Sequence, residues 1–147
     1  MAINLEKLLQ RKAQQILKAA GEQALKAAQD NFNNAEYAGT NDVVVTKTQI
    51  DENTVKITAT GTATNFIEFG TGINYPNSHP EAIEHDFIHG TYGNRHGANL
   101  NGWIYTGETG NAPDTYELKS GAVHTLGNKA NLCMYNAREE VKNKYAR

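Results

Sequence analysis

Glycine, proline and histidine are concentrated in one part of the chain, and this uneven distribution constrains the fold more than any other feature. Residues 70–127 contain ten of the 13 glycines, all three prolines and all five histidines of the 147-residue chain. Glycine and proline favour turns and irregular backbone, and both weaken helices and strands. The middle of the chain therefore predicts loops and short strands, and we expect the regular structure in the two flanks.

Both ends of the chain have the periodicity of amphipathic helices. Apolar residues recur at steps of three and four over residues 3–30, as they do along one face of a helix, and the asparagine-rich stretch 31–34 predicts its end. A second helical pattern covers about 130–145, with Cys133 on its apolar stripe and Asn128 as its predicted cap. A free cysteine in that position is typical of core packing.

Alternating, β-branched segments predict strands between these helices. Strands are expected at about 43–50 and 54–60, forming a hairpin, and then at 62–69 and 103–106, with a weaker strand at 123–126. A long loop, 73–101, separates the third strand from the fourth. The sequence therefore predicts one α+β domain (1–147), with the long N-terminal helix and the C-terminal helix packed on an antiparallel β-sheet, and with a long loop insertion.

Composition excludes several classes of protein. The net charge is −2 and no apolar run approaches the roughly 20 residues that span a bilayer, so we expect no membrane partner. A single cysteine cannot form an internal disulfide. A free nucleic-acid-binding protein usually carries a basic patch, whereas residues 70–127 carry a net charge of −4 and the two flanks together carry +2. No glycine cluster has the spacing of a phosphate-binding loop, so no cofactor is predicted.

The histidines suggest one candidate metal site. Ser78 and Glu81 resemble a capping box and predict a short helix over about 79–89. On such a helix Glu81, His85 and His89 lie on one face at steps of four, and two histidines with a carboxylate can bind zinc. The alternative is a polar face in a histidine-rich loop.

The same segment departs from the zinc-protease pattern His-Glu-x-x-His. Asp86 occupies the position of the general base, and the spacing of a third ligand is not met. No catalytic residue is therefore assigned. The alternative function that remains is a small metal-binding hydrolase using His85 and His89, with Glu81 or His96.

Two further positions have more than one interpretation. Glu68 lies among aromatic residues, where an acid can act in acid–base chemistry; we instead expect a strand-edge carboxylate that bonds a turn N–H or pairs across a subunit boundary. Trp103 and Tyr105 alternate with Ile104, so one side of this strand faces the core and the other faces a loop or a partner.

Three motifs in the same order resemble those of a known family. They are Ala63-Thr64-Asn65-Phe66-Ile67-Glu68-Phe69-Gly70-Thr71-Gly72, then Gly102-Trp103-Ile104-Tyr105, then Gly127-Asn128-Lys129-Ala130-Asn131-Leu132-Cys133-Met134. Together with the long N-terminal helix they resemble the head–tail joining and tail-completion proteins of tailed bacteriophages, also called minor tail or neck proteins. The resemblance spans most of the chain.

This resemblance implies a structural virion protein without enzymatic activity. Such proteins form rings, commonly of six subunits, in the neck or at the top of the tail, and contact connector and tail-tube proteins. Genome DNA passes through the lumen without specific binding, and the acidic middle of this chain suits that passage because phosphate contacts dominate DNA affinity. The implied location is the virion, with the host cytoplasm as the place of assembly.

On this basis we expect the subunit and partner contacts at the segment 64–72 and at the tryptophan strand. The predicted interface residues are Phe66, Glu68, Phe69, Gly70, Thr71, Gly72, Trp103 and Tyr105. The first helix is expected to supply the core and an interface, and loop 73–101 to contact neighbouring proteins. A third interpretation, beside the ring subunit and the hydrolase, is an adaptor with a helix-in-groove partner.

Overall fold

A computed structural model describes residues 4–71, 74–75, 78–85, 87 and 101–146. In these residues the chain forms three helices and five strands. They are α1 (Leu5–Asn33), β1 (Val44–Asp51), β2 (Thr54–Thr60), α2 (Thr64–Phe69), β3 (Trp103–Tyr105), β4 (Tyr116–Glu117), β5 (Val123–Thr125) and α3 (Cys133–Tyr145).

The long first helix divides into a packed half and a projecting half. Asn4 caps its start by accepting a hydrogen bond from the Lys7 amide at 3.0 Å. Gly21, Ala28 and Phe32 are buried in its second half, whereas every residue from 4 to 16 is exposed. With a rise of about 1.5 Å per residue, α1 is roughly 40 Å long, so its first half extends well away from the core.

The β1–β2 hairpin lies along α1. Its strands are antiparallel, with Val44 opposite Thr60, as the alternation predicts. Gly21 permits the close approach of the hairpin, since a Cβ at this position would lie 3.2 Å from the Val55 side chain. The side chain of Gln10 donates to Glu52 in the hairpin turn at 3.4 Å, so the hairpin follows the helix for most of its length.

A second sheet and α3 complete the fold. The sheet has the order β3-β5-β4 and is antiparallel throughout. Helix α3 runs antiparallel to α1, because Asn31 donates to the Cys133 carbonyl at 3.0 Å and Gln23 donates to Glu140 at 2.8 Å. The core lies where these elements meet and contains Ala28, Phe32, Ala35, Val43, Val45, Ala63, Ile67, Cys133 and Ala137.

The α+β class is confirmed, but the third predicted strand is wrong. Residues 64–69 form helix α2, not a strand over 62–69. Strand alternation would place Ile67 and Glu68 on opposite faces, whereas both are buried. Ala63 and Ile67 lie four residues apart in the same core cluster, which is the spacing of a helix and buries the segment better.

Several smaller differences accompany this correction. The strands form two small sheets and not one, and β4 was not predicted. Helix α3 begins at Cys133, so Asn128 is not its cap. Most of loop 73–101 lies outside the described residues. Within the described parts of the chain, no helix is both long enough and apolar enough to cross a bilayer.

Candidate functional site

Glu68 accepts three hydrogen bonds at the start of α3. The carboxylate is 5% exposed, and its Oε2 accepts from the Met134 amide at 2.8 Å, while Oε1 accepts from the Tyr135 amide at 3.0 Å. The first amides of a helix have no partner inside the helix, and its N-terminal end favours negative charge. Leu132, at the cap position itself, offers no side-chain cap. Glu68 of α2 therefore caps α3 across the core.

The third hydrogen bond comes from His79. Its Nε2 lies 3.1 Å from Oε1 of Glu68, and its Nδ1 accepts from the Glu81 amide at 3.0 Å. That second bond needs a lone pair on Nδ1, so Nε2 carries the ring proton and donates to the carboxylate. The imidazole is buried between the rings of Phe69 and Tyr135, with centroids 4.5 and 5.4 Å away. Glu68 and His79 are thus held rigidly below the surface.

Backbone groups of the same two segments bond directly to each other. The amides of Asn131 and Leu132 donate to the carbonyls of Ile67 and Glu68, at 2.9 and 3.2 Å. Carbonyl groups at the end of α2 therefore accept hydrogen bonds from the chain that leads into α3. The Thr71 amide donates to the Asn128 carbonyl at 3.1 Å. We call this region the α2–α3 joint; it consists of Ile67–Thr71, Asn128–Tyr135 and His79.

Asparagine side chains fasten the joint to its surroundings. The Asn131 amide group donates to the carbonyls of Glu36 and Ile67, at 2.9 and 3.1 Å, and its oxygen accepts from the Glu36 amide. Asn128 is 1% exposed and donates to the Phe66 carbonyl at 3.1 Å. Ser78 accepts from the Ala130 amide at 2.9 Å, and this bond replaces the capping box that the sequence predicted.

Glycines allow the three motifs of the sequence to meet. Gly70 has φ of 82°, and a Cβ there would lie 2.7 Å from the Ala130 nitrogen. Gly127 has φ of 88°, and a Cβ there would clash with Thr71 and lie 3.0 Å from the ring of Trp103. Left-handed backbone favours glycine, and such close approach requires it. Residues of all three motifs therefore come together around Gly127.

The titratable groups of the joint are engaged in structural contacts. The oxygens of Glu68 accept three hydrogen bonds, and Cys133 has no exposed surface. Burial raises the pKa of the Cys133 thiol to about 12, which keeps it protonated and unreactive at neutral pH. This arrangement holds α2, α3 and the intervening chain in fixed positions.

The predicted metal ligands do not come together in the described part of the chain. Residues 79–85 form turns and not a helix. The Glu81 carboxylate accepts from Arg138 at 2.7 Å, and this bond lowers its pKa, while the His85 ring lies against Phe69 at 4.9 Å. No group of three or more potential ligands is present among the described residues, and His89, Asp86 and His96 lie outside them.

An open apolar groove lies beside the joint. It has a volume of about 660 Å³ and lies between the chain that follows α1, the start of α2 and strand β3. Half of its lining residues are aromatic or aliphatic, and the others include four threonines and one carboxylate. The lining includes Tyr37, Ala38, Ala63, Phe66, Trp103, Ile104, Tyr105 and Glu108.

The predicted interface residues divide between the joint and this groove. Phe66, Thr71, Trp103 and Tyr105 line the groove. Glu68 and Gly70 are buried in the joint, and Phe69 is half-buried against the rings of His79, His85 and Phe87. Gly72 lies outside the described residues. The expected bonding of Glu68 to backbone N–H groups is observed, but at a helix start and not at a strand edge.

Sequence analysis missed the partners that complete the joint. His79 was counted among the loop histidines, and Asn131 had no assigned role. Neither residue lies near Glu68 in sequence, so no local pattern links them. The glycines at 70 and 127 were the available signal, because each marks a place where another segment approaches the backbone.

Comparison with known proteins gives no match. No protein-family model matches the chain, and neither the curated proteins nor the solved structures contain a significant match.

Proposed function

We propose that this protein is a structural subunit of a tailed-bacteriophage virion, which forms a ring in the head–tail neck or at the top of the tail. The observation that carries the proposal is the convergence of the three motifs around Gly127. Chance resemblances scattered along a chain have no reason to be spatial neighbours. Here the first and third motif segments are separated by more than 50 residues in sequence, yet the Asn128 amide donates to the Thr71 hydroxyl at 2.9 Å.

The division of α1 into two halves gives independent support. Leu5, Leu8 and Leu9 are between 55 and 63% exposed on a helix that extends beyond the body of the molecule. Scattered exposed aliphatic residues are normal, but a row of them on a projecting helix favours burial in an assembly. A subunit of a ring needs such a surface, since each copy contacts two neighbours.

In the proposed ring, DNA passes through the lumen without specific binding. The exposed acidic side chains of the middle segment support this role, since they repel phosphate; they include Glu84 and Glu117. Glu81 contributes less to that repulsion because its charge is paired with Arg138.

Electron microscopy combined with gene deletion tests the proposal. Purified protein, alone or with tail tubes, is expected to form closed rings in negative stain. The gene is expected to lie beside portal, capsid and tail-tube genes, and its deletion should yield filled heads and separate tails. Wild-type protein or the surface variant Lys119→Ala should restore joined particles. Intact infectious particles after deletion would refute the assignment.

A further inference from the structure

An apolar stripe formed by Leu5, Leu9 and Ile16 is exposed on the first half of α1, whereas α3 lies beside the same face of the second half. Leu5 and Gln23 are 18 residues apart, which is about five whole turns, so they lie on the same face of the helix. Gln23 bonds to Glu140 of α3, so the C-terminal part of α3 lies beside that face where α1 joins the body. Helix α3 ends at Tyr145, only five residues after Glu140. Beyond its end the stripe continues through Ile16, Leu9 and Leu5 in solvent.

The hairpin does not cover this stripe. It packs on the face of α1 that contains Gly21, and this face lies nearly opposite the stripe around the helix axis. Gln10, which bonds to the hairpin turn, is also on the hairpin side. Among the described residues of the subunit neither α3 nor the hairpin covers the stripe, so it is available for a contact with another molecule.

A charge in the stripe indicates the chemistry of that molecule. Lys12 lies between Leu9 and Ile16 on the same face, and residues 4–18 contain four basic side chains against the single acidic Glu6. In the described residues Lys12 has no ion-pair partner. An apolar surface that also presents a carboxylate would match both properties of the stripe.

The groove beside the joint has these properties. Glu108 is exposed and is the one charged side chain among the described lining residues; its carboxylate accepts a hydrogen bond from the Thr40 hydroxyl at 3.0 Å. Asp42 adds a second carboxylate at the rim, where it accepts from the Thr62 amide at 2.9 Å. Trp103, Ile104 and Phe66 supply the apolar surface.

The two surfaces lie at opposite ends of the molecule. The groove begins at Tyr37, four residues after α1 ends, whereas Leu5 is roughly 40 Å away at the other end of the helix. One subunit therefore cannot fill its own groove. A contact between unlike ends of two copies is heterologous. A series of such contacts forms a ring when the rotation that relates each copy to the next adds up to a full turn.

We propose that the projecting half of α1 of each subunit lies in the groove of the next subunit. Leu5, Leu9 and Ile16 contact the aromatic lining, and Lys12 pairs with Glu108 of the neighbouring copy. This contact rests on the proposed ring and specifies how its subunits join.

Charge reversal provides the test. Lys12→Glu places two carboxylates together in the contact, and Glu108→Lys places two ammonium groups together. Each variant alone should therefore assemble only at a protein concentration about tenfold or more above that of the wild type. An equimolar mixture of the two variants should recover wild-type assembly, because every contact in an alternating ring again joins opposite charges. Light scattering and mass photometry measure the assembled fraction.

Lys7→Glu is the matched control. It makes the same change of charge on the same helix, but Lys7 lies on the side away from the stripe, so assembly should be unchanged. Circular dichroism should show an unaltered fold for all the variants, since the three side chains are exposed.

The outcomes separate this inference from the proposed function. Wild-type rings that persist in both reversal variants, or a mixture that fails to recover assembly, would overturn the helix-in-groove contact and leave the ring assignment intact. A wild-type chain that stays monomeric alone and with tail tubes would contradict both. If each reversal variant loses assembly and the mixture recovers it, but deletion of the gene causes no defect, the helix-in-groove contact is supported and the phage role is rejected.

Discussion

The α2–α3 joint and the projecting half of α1 differ in how far their side chains are buried and hydrogen-bonded. In the joint, a buried carboxylate accepts three hydrogen bonds and two glycines allow backbones to touch. In the projecting half, three leucines and Lys12 face solvent. The comparison teaches that the residues of the joint serve folding inside one subunit, whereas the helical repeat of α1 leaves an exposed apolar surface, which we propose is used for assembly. Mutations in the two regions should therefore affect different measurements.

Removal of the Glu68 carboxylate should have the largest effect. Glu68→Ala leaves the amides of Met134 and Tyr135 and the His79 ring without their acceptor, and we expect a loss of about 3–5 kcal/mol in the free energy of unfolding. Urea denaturation measures this loss. Glu84→Ala, at an exposed acid, should change stability by less than about 0.5 kcal/mol. Equal effects at the two positions would show that the cap contributes nothing.

Two glycines with the same backbone conformation isolate the effect of close approach. Gly70 and Gly121 have φ of 82° and 83°, but a Cβ at Gly121 would meet nothing within 4 Å. Gly121→Ala should cost about 1 kcal/mol from backbone strain alone. Gly70→Ala adds the clash with Ala130 and should cost about 2–3 kcal/mol. Thermal unfolding of both variants gives the difference, and similar melting temperatures would contradict the tight joint.

Alkaline pH should weaken the core at Cys133. The pKa of this thiol is about 12 in the folded protein against a usual value of 9.0, so the folded state retains a proton that the unfolded state releases. Stability from this group is complete below about pH 9 and is lost as pH rises towards 12. The stability difference between wild type and Cys133→Ala should therefore narrow over this range. A constant difference would indicate an ordinary thiol pKa.

The projecting helix should give the smallest effect on stability. Leu5→Gln with Leu9→Gln replaces exposed side chains by residues of similar helix propensity, so the free energy of unfolding should change by less than about 0.5 kcal/mol. Assembly should nevertheless be lost, as judged by particle mass. A large loss of monomer stability would show that these leucines pack inside the subunit and would remove the contrast between the two regions.

The elements with strong periodicity were predicted well. The long helix and the hairpin were found within a few residues of their observed bounds, and strand 54–60 coincides with β2. The segment 62–69 was predicted wrongly because eight residues with phenylalanine, isoleucine and threonine fit a strand pattern, and period alone does not separate a short strand from a short helix. Its helical form depends on the core around Ile67.

The candidate site could be predicted only in part. Glu68 stood out as an acid among aromatic residues, but the donors that make it a cap come from residues 11 to 67 positions away along the chain. The metal pattern at Glu81, His85 and His89 relied on a helix over 79–89. Turns occupy 79–85 instead, and Arg138 of α3 pairs with Glu81. Neither contact follows from sequence spacing.

The sequence by itself determined the α+β class, the extent of α1, the hairpin and the irregular backbone in the described part of the middle, because these depend on local periodicity and on glycine and proline. Only the tertiary structure decided that α2 is a helix, that Glu68 caps α3, and that one half of α1 packs in the core while the other half is exposed. Those outcomes depend on hydrogen bonds and burial between residues far apart in the chain, and no local pattern specifies them.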